Sequence, residues 1–235
     1  MRHIKKQPEP VELAQFRING GVKYTDSNFP TEPVQKSLIN DQNGLCAYCM
    51  ARISRDLVKG VGEPTIIIEH YLPRNGTFAR HDLEVNYSNM LGVCRGGKDN
   101  QKMGTNRELF CDQSKKNNVL KKLNPLNSNV ESMIQFLDNG TIEPFNDKDE
   151  HDIQSDINLL NLNEKFTRLN RERIIRDLKN EYMRLFKQGD KSDVREYLQN
   201  ELRRWRTVNA DSQLQPYCLV ALQFINDKLK RIGQP

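Results

Sequence analysis

Cys46 and Cys49 are separated by two residues in Gly44-Leu45-Cys46-Ala47-Tyr48-Cys49, and Cys94 and Cys111 follow downstream. Four thiolates suit a closed tetrahedral zinc site, and Cys-x-x-Cys is the spacing of one half of such a site. Two ordinary buried thiols or a redox pair are the plain alternatives, but a redox pair wants a thioredoxin-like βαβ pattern that these residues lack. An iron–sulfur cluster makes the same demand on thiolates, yet nothing else in the chain suggests electron transfer. Zinc is therefore the expected occupant. The fifth cysteine, Cys218, lies on a helical apolar stripe and is expected in a core. An odd number of cysteines, with no apolar run in Met1 to Pro8, argues against a disulfide framework and for a soluble, cytoplasmic protein.

These side chains need elements to hold them. Thr31 to Asn40 reads as a short helix with Thr31 as its cap, running into a Gly44 turn and the first cysteine pair. Residues 65–69, Thr-Ile-Ile-Ile-Glu, are β-branched and bounded by Pro64, which predicts a strand. Residues 74–90 are expected as loop with at most a short second strand, and 112–122 as a helix opened by Asp112. Residues 133–137 and 141–145 flank Asp138-Asn139-Gly140, a tight-turn signal that predicts a hairpin.

From about residue 153 the apolar period becomes helical. Phe166, Leu169, Ile174, Ile175, Leu178, Tyr182, Leu185 and Phe186 form one stripe. Val194, Tyr197, Leu198, Leu202 and Trp205 form a second, and Cys218, Ala221, Leu222, Ile225 and Leu229 a third. The expected division is a polar lead-in over 1–30, a catalytic or zinc-bearing domain over 31–150, and an α-helical C-terminal domain over 151–235.

Between the cysteine pairs, the predicted strand delivers Glu69-His70, followed by Tyr71-Leu72-Pro73-Arg74. Asn89 precedes Cys94 by five residues, and Cys111-Asp112-x-x-Lys115 closes the set. An acidic residue beside His at a strand end, then Asn before Cys, then Cys-polar-x-x-Lys, resembles an HNH nuclease. That resemblance implies an α+β fold: a zinc-stapled ββα-metal, treble-clef-like finger followed by helices. It also implies His70 as general base, Glu69 and Asp112 as ligands of a catalytic magnesium or manganese, and Asn89 as the residue that orients the imidazole. Phosphodiester hydrolysis needs an activated water, charge neutralisation on the phosphate and help for the leaving oxygen, which these residue types can supply. Two departures stand out. Gly97 replaces the usual fourth cysteine, so Arg95–Phe110 must bridge to Cys111, and Asp112 stands where His or Asn is usual. Asp112 also competes for the plainer role of helix cap.

A narrower resemblance rests on Gln42-x-Gly44-Leu45-Cys46-Ala47-Tyr48-Cys49, Glu69 to Arg74, Asn86-Tyr87-x-Asn89-x-Leu91-Gly92-x-Cys94-x-Gly96-Gly97, and Cys111-Asp112-x-x-Lys115. Over about residues 31–145 it is similar to the retron-associated HNH endonucleases, the nuclease (PtuB-like) subunit of Septu anti-phage systems. This resemblance implies an SMC/ABC-like ATPase partner (PtuA-like) and, in the retron variety, a reverse transcriptase with its RNA–DNA product. The activity it implies is hydrolysis of nucleic acid, DNA favoured over RNA such as tRNA. The alternative is a non-catalytic zinc-finger module that binds nucleic acid or a protein partner.

Arg74, Arg95, Lys98, Lys102, Arg107, Lys115 and Lys116 surround the candidate site and are collectively what a phosphate-tracking surface requires. Tyr48 and Tyr71 either stack on bases or pack against the knuckle. His81 is expected as a solvated loop residue, with a zinc or phosphate contact as its alternatives. His3 and His151 are given no role. Net charge is +5, but it is unevenly spread. Residues 91–122 carry eight basic and three acidic groups, 123–164 one and nine, and 165–206 thirteen and seven. Two basic regions thus flank an acidic connector, as a nucleic-acid enzyme would use. No stretch approaches the roughly 20 apolar residues of a membrane span.

Overall fold

The structure is a computed structural model and describes residues 1–57, 62–99, 108–145, 147–189 and 191–233. Its helices and short strands make an α+β protein. Helix α1 (Val11–Ile18) starts after Pro10 and turns Leu13 and Phe16, three residues apart, into the core. The lead-in is therefore structured. Met1 and Ile4 are also buried, and the Ile4 N–H bonds the Pro125 carbonyl at 2.7 Å.

Helix α2 (Thr31–Asp41) buries Val34 and Leu38, and Pro30 rather than Thr31 occupies its cap position. The chain then reverses through Asn43 and Gly44, whose positive φ of 71° is reached at little cost only by glycine.

Strand β1 (Ile66–His70) pairs antiparallel with β2 (Met90–Cys94), with Ile66 opposite Cys94 and His70 opposite Met90. The second strand begins at Met90, the last residue of the predicted 74–90 loop, and runs on to Cys94. Met90-Leu91-Gly92-Val93 is buried throughout and lacks the alternation that marks a half-exposed strand. Helix α3 (Asp112–Lys115) is a single turn and does not run to 122, because Lys116 adopts a positive φ of 54° that ends it. The predicted hairpin is present as β3 (Ile134–Phe136) and β4 (Ile142–Pro144), with the Leu137 N–H bonded to the Thr141 carbonyl at 2.9 Å.

Four helices follow: α4 (Glu150–Leu159), α5 (Lys165–Gln188), α6 (Lys191–Arg206) and α7 (Cys218–Gly233). The Glu164 carboxylate caps α5 by accepting from the Phe166 and Thr167 N–H groups, and Gly189 at φ +88° ends it. The buried face of α5 is Thr167, Arg171, Ile175 and Leu178, whereas Phe166, Leu169 and Phe186 of the predicted stripe are exposed. The stripes on α6 and α7 bury Val194, Leu198 and Trp205, and Cys218, Ala221, Leu222 and Ile225.

These helices share one core with the finger. The Asp156 carboxylate of α4 accepts from the N–H groups of Lys121, Lys122 and Leu123 at 2.7–2.9 Å. The Tyr217 N–H bonds the Met50 carbonyl beside the knuckle at 3.0 Å. Among the described residues no helix is long and apolar enough to cross a membrane.

Candidate active site and metal centre

Backbone turns bring the four cysteines together. The Met50 N–H returns to the Cys46 carbonyl at 3.0 Å, and the Cys46 N–H bonds the Ala51 carbonyl at 2.8 Å, closing the first knuckle. Gly96 at φ +54° lets the Phe110 N–H bond its carbonyl at 3.0 Å, which brings Cys111 back toward Cys94 across the inserted loop. The Sγ–Sγ distances are 3.9 Å for Cys46–Cys111, 3.6 Å for Cys49–Cys94 and 3.8 Å for Cys94–Cys111. All four thiols are buried and none is in a disulfide.

A tetrahedron with zinc–sulfur bonds of about 2.3 Å has edges of about 3.8 Å, so the donor set fits zinc. Burial and the neighbouring thiols push Cys111 well above the ordinary thiol range, a penalty that a dication removes. Cys218 lies apart on α7, 3.4 Å from the Arg2 guanidinium. Arg171 on α5 lies within electrostatic reach of Cys49 and Cys111. It is buried and donates to the Gly140 and Leu162 carbonyls at 2.6 and 2.8 Å.

The end of β1 carries Glu69 and His70, both buried. Oε1 of Glu69 accepts from the Lys115 ammonium at 2.6 Å and from the Tyr48 hydroxyl at 3.1 Å. Burial, followed by the adjacent Asp112 carboxylate, drives Glu69 well above the usual carboxylate range. Two crowded carboxylates, Glu69 and Asp112, form a donor set that a hard divalent cation can relieve.

Nε2 of His70 lies 2.8 Å from the Glu84 carbonyl, which can only accept, so that nitrogen carries the proton and Nδ1 is left basic. Burial lowers the His70 pKa and favours the neutral ring, which packs T-shaped with Tyr24 at a centroid separation of 5.0 Å. Glu69, His70 and Asp112 share a cleft of about 430 Å³ with Arg74, Gln113 and Lys116.

Several sequence-predicted residues sit differently. Asn89 does not touch the imidazole. Its Oδ1 accepts from the Leu72 N–H at 2.8 Å and its Nδ2 donates to the Leu72 carbonyl at 2.9 Å, which consumes the amide on the loop after β1. Lys115 is fully buried against Glu69 and is no phosphate contact. Arg95 is buried and ion-paired with Glu63 and with Asp99, the latter at 2.5 Å. A cation so paired is not free to track a backbone.

Arg74 remains at the cleft, 4.8 Å above the Tyr24 ring, and Lys116 is exposed at its edge. Lys98 is exposed, while Lys102 and Arg107 lie outside the described residues. Asp112 is the first residue of α3, and the cap position before it is Cys111. His81 is exposed and stands outside the thiol cluster.

Tyr24, Glu84 and Arg171 were not legible as site residues because each arrives from a distant segment. Tyr48 was visible within the knuckle, but its burial turns it toward Glu69 and away from any base.

No family model matches the chain. A curated relative from Vibrio cholerae serotype O1 biovar El Tor, named "Retron Vc95 putative HNH endonuclease", is 30% identical over 179 residues, spanning 72% of this chain and 80% of the relative. With a Glu-His pair at the end of a two-stranded sheet, four clustered cysteines and that extent of identity, the chain belongs to the HNH endonuclease family.

Proposed function

We propose that the chain is a metal-dependent endonuclease that hydrolyses phosphodiester bonds of nucleic acid, with DNA as the first substrate class and structured RNA such as tRNA as the second. The observation that carries this reading is the cleft where His70, with its basic nitrogen set by Glu84, meets the Glu69 and Asp112 carboxylates. Nδ1 of His70 takes the proton of the attacking water, and the Glu84 carbonyl holds the ring in the tautomer this requires. Arg74 and Lys116 at the cleft bind the phosphate. Magnesium or manganese held by Glu69 and Asp112 would supply charge neutralisation at the phosphate and support for the leaving oxygen.

His70→Ala is expected to keep its fold and its zinc and to lose cleavage by about 100-fold or more in a magnesium-supplemented nuclease assay. Undiminished cleavage would overturn the mechanism. If Glu69, His70 and Asp112 could be replaced together without losing activity, the non-catalytic zinc-module reading would stand instead.

The relative's name ties that protein to a retron. For this chain we propose the corresponding role, effector nuclease of a retron or Septu-type (PtuB-like) anti-phage system in the cytoplasm. It would act with an SMC/ABC-like ATPase (PtuA-like) and, in a retron, with a reverse transcriptase and its RNA–DNA product. In this reading residues 31–150 form the treble-clef-like nuclease domain, and residues 151–235 add the helices that grip partner or substrate. Co-purification with an SMC/ABC-like ATPase supports the assignment, and independent behaviour of the two proteins argues against it.

A further inference from the structure

The Glu69 carboxylate is held from two sides. Lys115 reaches Oε1 at 2.6 Å and the His70 carbonyl at 3.4 Å, and its side chain is wholly buried. A buried ammonium is tolerated only against a partner, so the side-chain position of Lys115 is tied to Glu69. The Tyr48 hydroxyl, also buried, reaches the same oxygen at 3.1 Å.

Both donors are mounted on the cysteine segments. Tyr48 lies between Cys46 and Cys49. Lys115 is one helical turn after Cys111, its N–H bonded to the Cys111 carbonyl at 2.9 Å. The thiols that draw these two segments to 3.9 Å (Cys46 to Cys111) therefore also fix where the hydroxyl and the ammonium stand.

We infer that Tyr48 and Lys115 are positioning residues for Glu69, so that the four-cysteine centre sets the orientation of the metal-binding carboxylate as well as stapling the finger. The inference rests on the reading of Glu69 as a cation ligand. One charged and one neutral donor on Oε1 stop the carboxylate from rotating, which leaves its other oxygen to be offered beside Asp112. Neither side chain is exposed to touch nucleic acid.

The test uses the full-length protein with Mn²⁺ as the probe. Bound zinc is measured by elemental analysis, Mn²⁺ affinity by the electron paramagnetic resonance signal of the free ion, and cleavage in parallel. Tyr48→Phe is expected to keep its zinc and to bind Mn²⁺ about 10-fold more weakly, the scale on which ligand-orienting partners act. Cleavage at limiting Mn²⁺ should fall by a similar factor and recover at saturation. Lys115→Met should show the same pattern; if it fails to fold, Tyr48→Phe decides alone.

A merely structural role would lower thermal stability and leave Mn²⁺ affinity unchanged, and unchanged affinity in Tyr48→Phe overturns the inference. Glu69→Gln separates the two ideas. If it binds Mn²⁺ as well as the unaltered protein, Glu69 is not a ligand and the underlying reading fails. If it loses Mn²⁺ while Tyr48→Phe does not, only the positioning inference fails.

Discussion

At the scale of single residues, the chemistry depends on which atom of each side chain is already engaged. Asn89 illustrates this. Its sequence position suggested an imidazole partner, but both ends of its amide serve Leu72, and the Glu84 carbonyl holds His70 instead. Asn89 therefore shapes the loop that carries Pro73 and Arg74 to the cleft. Asn89→Ala leaves the part-buried N–H and C=O of Leu72 short of partners, which costs about 1 kcal/mol. Urea denaturation is expected to show that loss, and a stability within about 0.5 kcal/mol of the unaltered protein would refute the assignment. Lys115 makes the complementary point. A lysine in a basic stretch invites a phosphate role, but full burial against Glu69 makes it part of the site's frame.

At the scale of elements, short pieces are positioned by turns that tolerate little change. The β3–β4 hairpin was legible because Asn139-Gly140 demands a left-handed turn, and Gly140 has φ +77°. What the pattern could not convey is that the hairpin tip rests on α5. A Cβ at Gly140 would lie 2.1 Å from the Arg168 carbonyl, and Arg171 binds the Gly140 carbonyl at 2.6 Å. Gly140→Ala is accordingly expected to destabilise by more than about 1 kcal/mol, through strain at positive φ and through the clash. In thermal melts this corresponds to a fall of about 2–4 °C per kcal/mol. A midpoint equal to that of the native chain would show that the hairpin can lift off the helix freely. Helix α3 shows the opposite failure of local pattern: 112–122 looked helical, but Lys116 leaves helical geometry so that Leu120 and Leu123 can enter the core.

At the scale of the whole molecule, the cysteine centre and the helices are one structure. The Cys111 N–H bonds the Leu160 carbonyl at 2.8 Å, and Arg171 from α5 binds the Gly140 and Leu162 carbonyls. Stripping the metal with a strong chelator should therefore lower the thermal midpoint of the entire chain. Trp205 fluorescence, which reports on α6, and far-UV circular dichroism should follow one coincident transition. Two separated transitions would mean that the helices are stable without the finger.

The sequence alone determined the thiol set, the Glu69-His70 pair, the hairpin and the helical C-terminal third, because spacing, turn chemistry and period are local properties. Only the tertiary structure decided which cations face the cleft, which nitrogen of His70 is free and what Asn89 and Lys115 hold. Those outcomes depend on burial and on partners tens of residues away, such as Glu84 for His70 and Glu69 for Lys115, and no local pattern encodes them.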